Sequence, residues 1–342
     1  MRRAGKCAGH ALQAAIAAVV LALQPAGAFA REVRLAHHYV QNSIQGQTGQ
    51  SFADAVNAAT DLKVRIFWSG ALGGGREIAQ LVGGGAIEMG VTVPAYTPAL
   101  VPISGISSSF ALYFDSIVGA LDATRAVLDD PAAKAELEKA NLEVLVVHTT
   151  APYHLVCNKP VASMNDLKGL KVRTVNALSG RALSQLGIVP VTLVSSEIYG
   201  ALQRGTVDCA LYSYEFAIAQ KLHEVAKYWS TLSFGAFTGA QLYANRDFMR
   251  SLPEDAARKV RAAGRGAEQA EVAKNEAAVE KAIQIAEAAN VTLVPFDETE
   301  AFRKTMPDAL DLWKEDVVKS SGVSERDASR IIGTVRRIAG RT

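Results

Sequence analysis

Residues 166–214 read DLKGLKVRTVNALSGRALSQLGIVPVTLVSSEIYGALQRGTVDCALYSY, and the order of residue types in this stretch decides the fold. Residues 170–174 alternate apolar and charged side chains and read as a strand, with Arg173 at or near its end. A helical segment over 177–186 follows, then an apolar strand over 189–193. Ser195-Ser196-Glu197 opens a second helix that runs to Arg204, Gly205 stops it, and a third strand covers 207–212. The order is βαβαβ, whose strand ends converge on one crevice. A guanidinium placed there is planar, always charged and able to fork onto a carboxylate.

The same stretch resembles the signature of the solute-binding proteins of tripartite ATP-independent periplasmic (TRAP) transporters. That signature runs approximately D-L-K-G-L-K-[IVL]-R, a helix, L-G-x-x-P-V, then E-[VI]-Y-x-A-L-Q-x-G-x-V-D-G. Residues 166–173, Leu186-Gly187, Pro190-Val191 and 197–208 match it nearly position by position, with Cys209 in place of the closing glycine. The resemblance implies an α/β, two-lobed periplasmic binding protein of type II-like architecture, with crossing strands and a long helix spanning both lobes. Lobe I is expected at 31–150 plus 239–277, and lobe II at 151–238 plus 278–342. It also implies that Arg173 forms a salt bridge with the substrate's carboxylate, whereas an arbitrary strand-end arginine would be solvated. The implied partners are a small organic-acid ligand and the large and small membrane subunits of a permease. No cofactor is implied.

The first thirty residues read as a secretory leader. Arg2, Arg3 and Lys6 form a basic start, residues 14–23 a short apolar run, and Ala28-Phe29-Ala30 a cleavage site. The run is shorter than the roughly 20 residues a membrane-spanning helix needs. Cleavage after Ala30 and export to the periplasm are expected. Cleavage removes three of the 36 basic residues and none of the 34 acidic ones. The near-neutral remainder gives no electrostatic argument for nucleic acid or membrane binding, and stable membrane insertion is not expected. Only Cys157 and Cys209 lie beyond the leader. An oxidising compartment permits a disulfide between them. Each lies in an apolar strand-like segment, however, and two buried, unpaired thiols are the expectation.

The first half repeats the βαβαβ order: strands over 31–36, 62–68 and 87–93, helices over 47–59 and 76–82. Gly73-Gly74-Gly75 lacks the spacing of a phosphate loop and reads as turn glycines. Residues 107–115 fall where the family carries a P-F-L-F stretch, with its proline and apolar pattern altered. An apolar strand over 141–149 should bridge the lobes. Residues 254–289, after Pro253, read as one or two long amphipathic helices, with Glu271, Lys274, Glu280 and Lys281 on a solvated face. A short strand over 291–294 and a helix over 301–317 with Phe302, Leu310 and Trp313 facing in complete the chain.

A site for a small anion between lobes needs one forked cation, a few neutral donors and an aromatic or apolar wall. Beside Arg173, the resemblance places Leu211 and Tyr212 in the pocket, because residues two or three beyond the motif's aspartate-glycine pair line it in relatives. Tyr153 stands where some relatives carry a second cation, which favours a monocarboxylate; His154 beside it is either an assisting group or a satisfied structural histidine. His37, His38 and Tyr39 occupy the family's substrate-contacting loop after the first strand. Neighbouring side chains on an extended chain point opposite ways, so His38 is expected as a hydrogen-bond donor and no metal is expected. Val93, Pro94 and Tyr96 would form the opposite wall. Asn176 either donates to the substrate or caps a helix. Tyr39, Tyr96 and Tyr212, with Tyr153 in place of a second cation, favour a singly charged, flat or partly apolar acid: an aromatic carboxylate or a small 2-oxo or 2-hydroxy acid. A secreted enzyme acting on a small carboxylate, and a ligand receptor feeding a sensor kinase, are the alternatives. Ser179 lacks the first glycine of a nucleophile elbow, and Cys157 and His154, three apart on a strand, would face opposite sides.

Overall fold

The computed structural model describes residues 31–341, so the expected leader lies outside the described residues. The chain opens with β1 (Arg31–His37), α1 (Ile44–Ala59), β2 (Leu62–Phe67), α2 (Ile78–Gly83) and β3 (Met89–Thr92). A 3₁₀ turn, Ser104–Ser109, precedes α3 (Ile117–Leu128) and α4 (Pro131–Lys139). β4 (Leu142–Thr150) runs almost without a break into β5 (Tyr153–Cys157). Then come β6 (Lys171–Thr174), α5 (Ala177–Ser184), β7 (Val189–Thr192), α6 (Ile198–Gln203), β8 (Cys209–Ser213), α7 (Tyr214–Ala219) and β9 (Tyr228–Ser230). The chain closes with β10 (Phe237–Asn245), α8 (Arg246–Ser251), α9 (Glu254–Ala288), β11 (Thr292–Val294), α10 (Thr299–Thr305), α11 (Ala309–Ser320) and α12 (Glu325–Ile338).

The strands form two sheets, ordered β2-β1-β3-β10-β4 and β11-β9-β5-β8-β6-β7. The β4–β5 junction crosses from the first sheet to the second, and the segment between β9 and β10 crosses back. In the first sheet β1, β2 and β3 are parallel; in the second, β6, β7 and β8 are parallel. Both βαβαβ units expected from the sequence are present, with boundaries shifted by a few residues.

Three expectations require correction. The helix expected over 301–317 is two helices: Pro307 has no N–H to donate and forces Met306 into an extended conformation. Asp308 then caps α11, accepting from the backbone N–H of Leu310 and Asp311. Cys157 and Cys209 are not free thiols but a disulfide, because β5 and β8 are antiparallel neighbours that place the two cysteines in direct register.

The third correction is Glu271, which is fully buried. β4 is an edge strand with unpaired N–H groups, and α9 covers that edge with carboxylates. Glu268 accepts from Val147 N at 2.6 Å and Glu271 from Thr149 N at 2.6 Å. Glu271 also accepts from His148 Nδ1 at 2.7 Å, while Arg125 pairs with Glu268. Gly264 allows the approach, since a Cβ there would sit 2.4 Å from Leu145 O. Asn275 and Gln45 both donate to Thr149 O. The crossing point is therefore held by a buried polar network, while Glu280 and Lys281 on the same helix are exposed as expected.

Candidate functional site

The carboxyl ends of the parallel strands in both sheets meet at one cavity. β1 delivers His38 and Tyr39; β3 delivers Val93, Pro94 and Tyr96. β6 and β8 of the second sheet bring Arg173, Leu211 and Tyr212, and β5 brings Tyr153. The cavity is lined by Tyr39, Val93, Tyr96, Tyr153, Arg173 and Tyr212, with Phe216, Phe234 and Phe237 extending the wall. It leaves about 50 Å³ for the centres of water molecules.

Arg173 is 2% exposed and, among the described residues, is the only charged side chain on the cavity wall. Its Nε donates to Leu193 O at 2.9 Å, Nη1 to Leu211 O at 3.3 Å, and Nη2 to the Tyr96 hydroxyl at 3.5 Å. The Tyr212 ring lies 5.5 Å from its guanidinium carbon, close enough for a cation–π contact. A guanidinium has five N–H donors, so one on each terminal nitrogen remains. No carboxylate pairs with Arg173 among the described residues. A buried, unpaired cation is costly unless an anion joins it, and this one is oriented to accept a fork.

A family model described as bacterial extracellular solute-binding protein, family 7, matches residues 35–316. The chain belongs to that family. It is similar to the ectoine-binding periplasmic protein TeaA of Halomonas elongata, 26% identical over 305 residues that cover 86% of this chain and 87% of TeaA. Among solved structures it resembles DctP7, a Bordetella pertussis extracytoplasmic solute receptor binding pyroglutamic acid. The TM-score is 0.78 at 20% identity, over 90% of this chain and 100% of that one. A TRAP periplasmic solute binding protein from Sulfitobacter with bound β-D-galacturonate gives 0.75 at 18% identity, over 91% and 100%. At such identities the two structures speak to the fold alone. The resemblance to TRAP solute-binding proteins and the expected α/β architecture both hold.

In this family 7 protein the expected site residues separate into layers. Tyr39, Val93, Tyr153, Arg173 and Tyr212 line the cavity, and Leu211 contributes the carbonyl that orients Arg173. His38 stands behind the wall: its Nε2 bonds Ser195 Oγ at 2.7 Å, and its ring meets Tyr96 edge-on at 5.5 Å. Gly75 makes room for it, as a Cβ there would lie 2.8 Å from the imidazole. Ser195 N also donates to the Tyr96 hydroxyl at 3.0 Å. His38, Ser195, Tyr96 and Arg173 thus form one chain of contacts between the two sheets. His154 is turned away, donating to Leu232 O at 3.1 Å and stacking on Tyr214. Asn176 takes its capping role: it accepts from Ser179 N at 2.9 Å, and its amide reaches Ser108 Oγ at 3.1 Å. Neither lines the cavity.

Sequence reasoning missed Ser107, Ser108, Ser109, Ser195 and Thr238, which with Ser179 add hydroxyl groups to the wall. The signal was available: the serine run stands where the family pattern is apolar. Glu136 anchors that turn, accepting from Ile103 N at 2.6 Å and Ser104 N at 2.9 Å. Burial pushes its carboxyl up to about 7. Burial also raises the phenols of Tyr39 and Tyr212 well above their usual range, so both remain hydroxyl donors. Among the described residues, no group of three or more His, Cys, Asp or Glu is placed to hold a metal. No helix there is long and apolar enough to cross a membrane.

Proposed function

We propose that this protein is the periplasmic receptor of a TRAP uptake system, capturing one compact, singly charged organic acid and delivering it to the large and small membrane subunits. The observation that carries the reading is Arg173, a buried guanidinium with two free N–H groups and, among the described residues, no anion paired with it. Tyr153, at the place of a second cation, is neutral and lines the same cavity. A second carboxylate would therefore be buried without a partner, a large penalty. Pyroglutamic acid and galacturonate, the ligands of two structural neighbours, each carry one carboxylate. The small cavity favours the more compact of these two acids.

A thermal-shift screen of organic acids tests the reading, because a ligand that binds only the folded form raises its midpoint. Compact monocarboxylates should give the largest shifts, ahead of the dicarboxylates succinate and malate and of the bulky sialic acid. A C4-dicarboxylate or sialic acid as the tightest ligand would contradict it. A receptor role is also favoured over an enzyme by the state of the candidate nucleophiles. Ser179 Oγ is engaged with Asn176, and Cys157 is bonded to Cys209. Turnover of any of these acids by the pure protein would instead support the enzyme reading.

In this reading the lobes, 31–150 plus 239–277 and 151–238 plus 278–342, close about the crossing segments. Closure desolvates the Arg173–carboxylate pair and buries the His38–Ser195 contact. Burial, and after it the charge of Arg173, pushes the closed-state His38 imidazole down to about 4. His37, Tyr39 and Tyr96 also face it, and no carboxylate does so in hydrogen-bond contact. An opened, solvated His38 would titrate near 6.5. The closed form then binds fewer protons between these values, so affinity is full at neutral pH and falls as pH drops below about 6.5. Calorimetry should find binding roughly thirtyfold weaker at pH 5 than at pH 7.5, and His38→Gln should flatten the profile. A flat profile in the unaltered protein would rule the linkage out.

A further inference from the structure

The last helical pair, α11 and α12, follows β11 of the second sheet, yet it rests on elements of the first lobe. Ala328, Ile331, Ile332 and Val335 form one buried stripe on α12, and α12 packs against α3 in a shared apolar core. Arg330 flanks that contact, forking onto Asp130 at 2.8 and 2.7 Å. From α11, Trp313 Nε1 donates to Pro102 O at 3.1 Å. Asp308, which caps α11, accepts from the Tyr113 hydroxyl at 2.5 Å and from Arg336 at 2.9 Å.

The contact with the second lobe is of a different kind. Arg181, on α5, donates from Nη2 to Leu312 O at 2.7 Å and from Nη1 to Asp316 at 3.2 Å. Its side chain is 39% exposed. Beside it, a cavity lined by Ala177 and Leu178 of α5 and by Trp313 and Val317 of α11 leaves about 90 Å³ for the centres of water molecules. A dry apolar face is held by all the area it removes from water, whereas a half-exposed ion pair beside a gap contributes little. The joint with α5 is the weaker of the two, so it gives first when the lobes part.

We infer that α11 and α12 form a clasp carried by the first lobe, that the cleft opens between α11 and α5, and that Arg181 is the catch. The second lobe then ends with α10. Leu178, Ala182 and Leu183 of α5 line the ligand cavity, as do Met306 and Ala309 beside the cap of α11. Arg181 does not line it; it is a positioning residue that holds one cavity wall against the other. The inference rests on the reading above that the lobes close about the crossing segments.

Distances between pairs of spin labels, measured by pulsed electron resonance on the protein without ligand, test it. Lys63→Cys marks the first lobe, Gln203→Cys the second and Ser329→Cys the clasp, all at exposed positions, in a Cys7→Ser background. Cys157 and Cys209 are buried and bonded to each other, so they take no label. The distance from residue 329 to residue 63 should stay single. The distances from residue 203 to 63 and to 329 should each show a closed and an open population. Arg181→Ala should raise the open-to-closed ratio about fivefold in both, the usual scale for losing a partly screened, charge-assisted hydrogen bond. Asp316→Ala should act in the same direction, and the melting midpoint of both variants should match that of the unaltered protein. A ratio unchanged in both variants, or a shift matched by a loss of midpoint, would overturn the inference. So would a 329-to-203 distance that stays single while the 329-to-63 distance varies, which leaves lobe closure standing. If no pair shows a second population in any variant, the closure reading fails with it.

Discussion

Arg173→Ala should weaken acid capture by at least tenfold in calorimetry, with the circular dichroism spectrum unchanged. The expected loss is about 2–5 kcal/mol, the usual consequence of removing one partner of a desolvated, hydrogen-bonded charge pair. Arg173→Lys should recover little. An ammonium keeps the charge but loses the planar fork, and it cannot donate at once to Leu193 O, Leu211 O and both oxygens of a ligand. Affinity unchanged in the alanine variant would remove Arg173 from the site.

Glu271→Ala should be among the most destabilising single changes in the chain. It strips His148 Nδ1 and Thr149 N of their acceptor inside a fully buried network. Breaking such a pair from one side typically costs about 3–5 kcal/mol. For a protein of this size that corresponds to a melting midpoint lower by roughly 5–10 °C. Glu280→Ala and Lys281→Ala, on the exposed side of the same helix, should stay within about 0.5 kcal/mol. A Glu271→Ala midpoint as close to the unaltered protein as theirs would show that the crossing point does not depend on this carboxylate.

The Arg173 unit was legible because strand, helix and strand signals are local. Alternation over 170–174, a capped helix and a glycine stop lie within one continuous stretch, and the parallel pairing of β6 with β7 and β8 follows from the connections. Contacts between distant segments were not legible. Nothing local to Cys157 or Cys209 says that their strands are in register. Glu271 was read as solvated because a charged residue in a helix usually is. Yet Ala257, Val260, Gly264, Ala267, Glu268, Glu271, Asn275, Ala282 and Ala286 form one buried stripe at helical spacing. Following that period through the small residues would have placed Glu268, Glu271 and Asn275 inward. Strand geometry also limits the site: Tyr153 and His154 are adjacent on β5, so when Tyr153 faces the cleft His154 faces away.

A crystal structure of the protein with the tightest acid from the screen tests the central claim most directly. The account predicts a single ligand carboxylate within about 3 Å of both Arg173 Nη1 and Nη2, surrounded by Tyr39, Tyr96, Tyr153 and Tyr212, with no second cationic side chain on the ligand. A carboxylate bound away from Arg173, or two separate cations gripping two carboxylates, would contradict it.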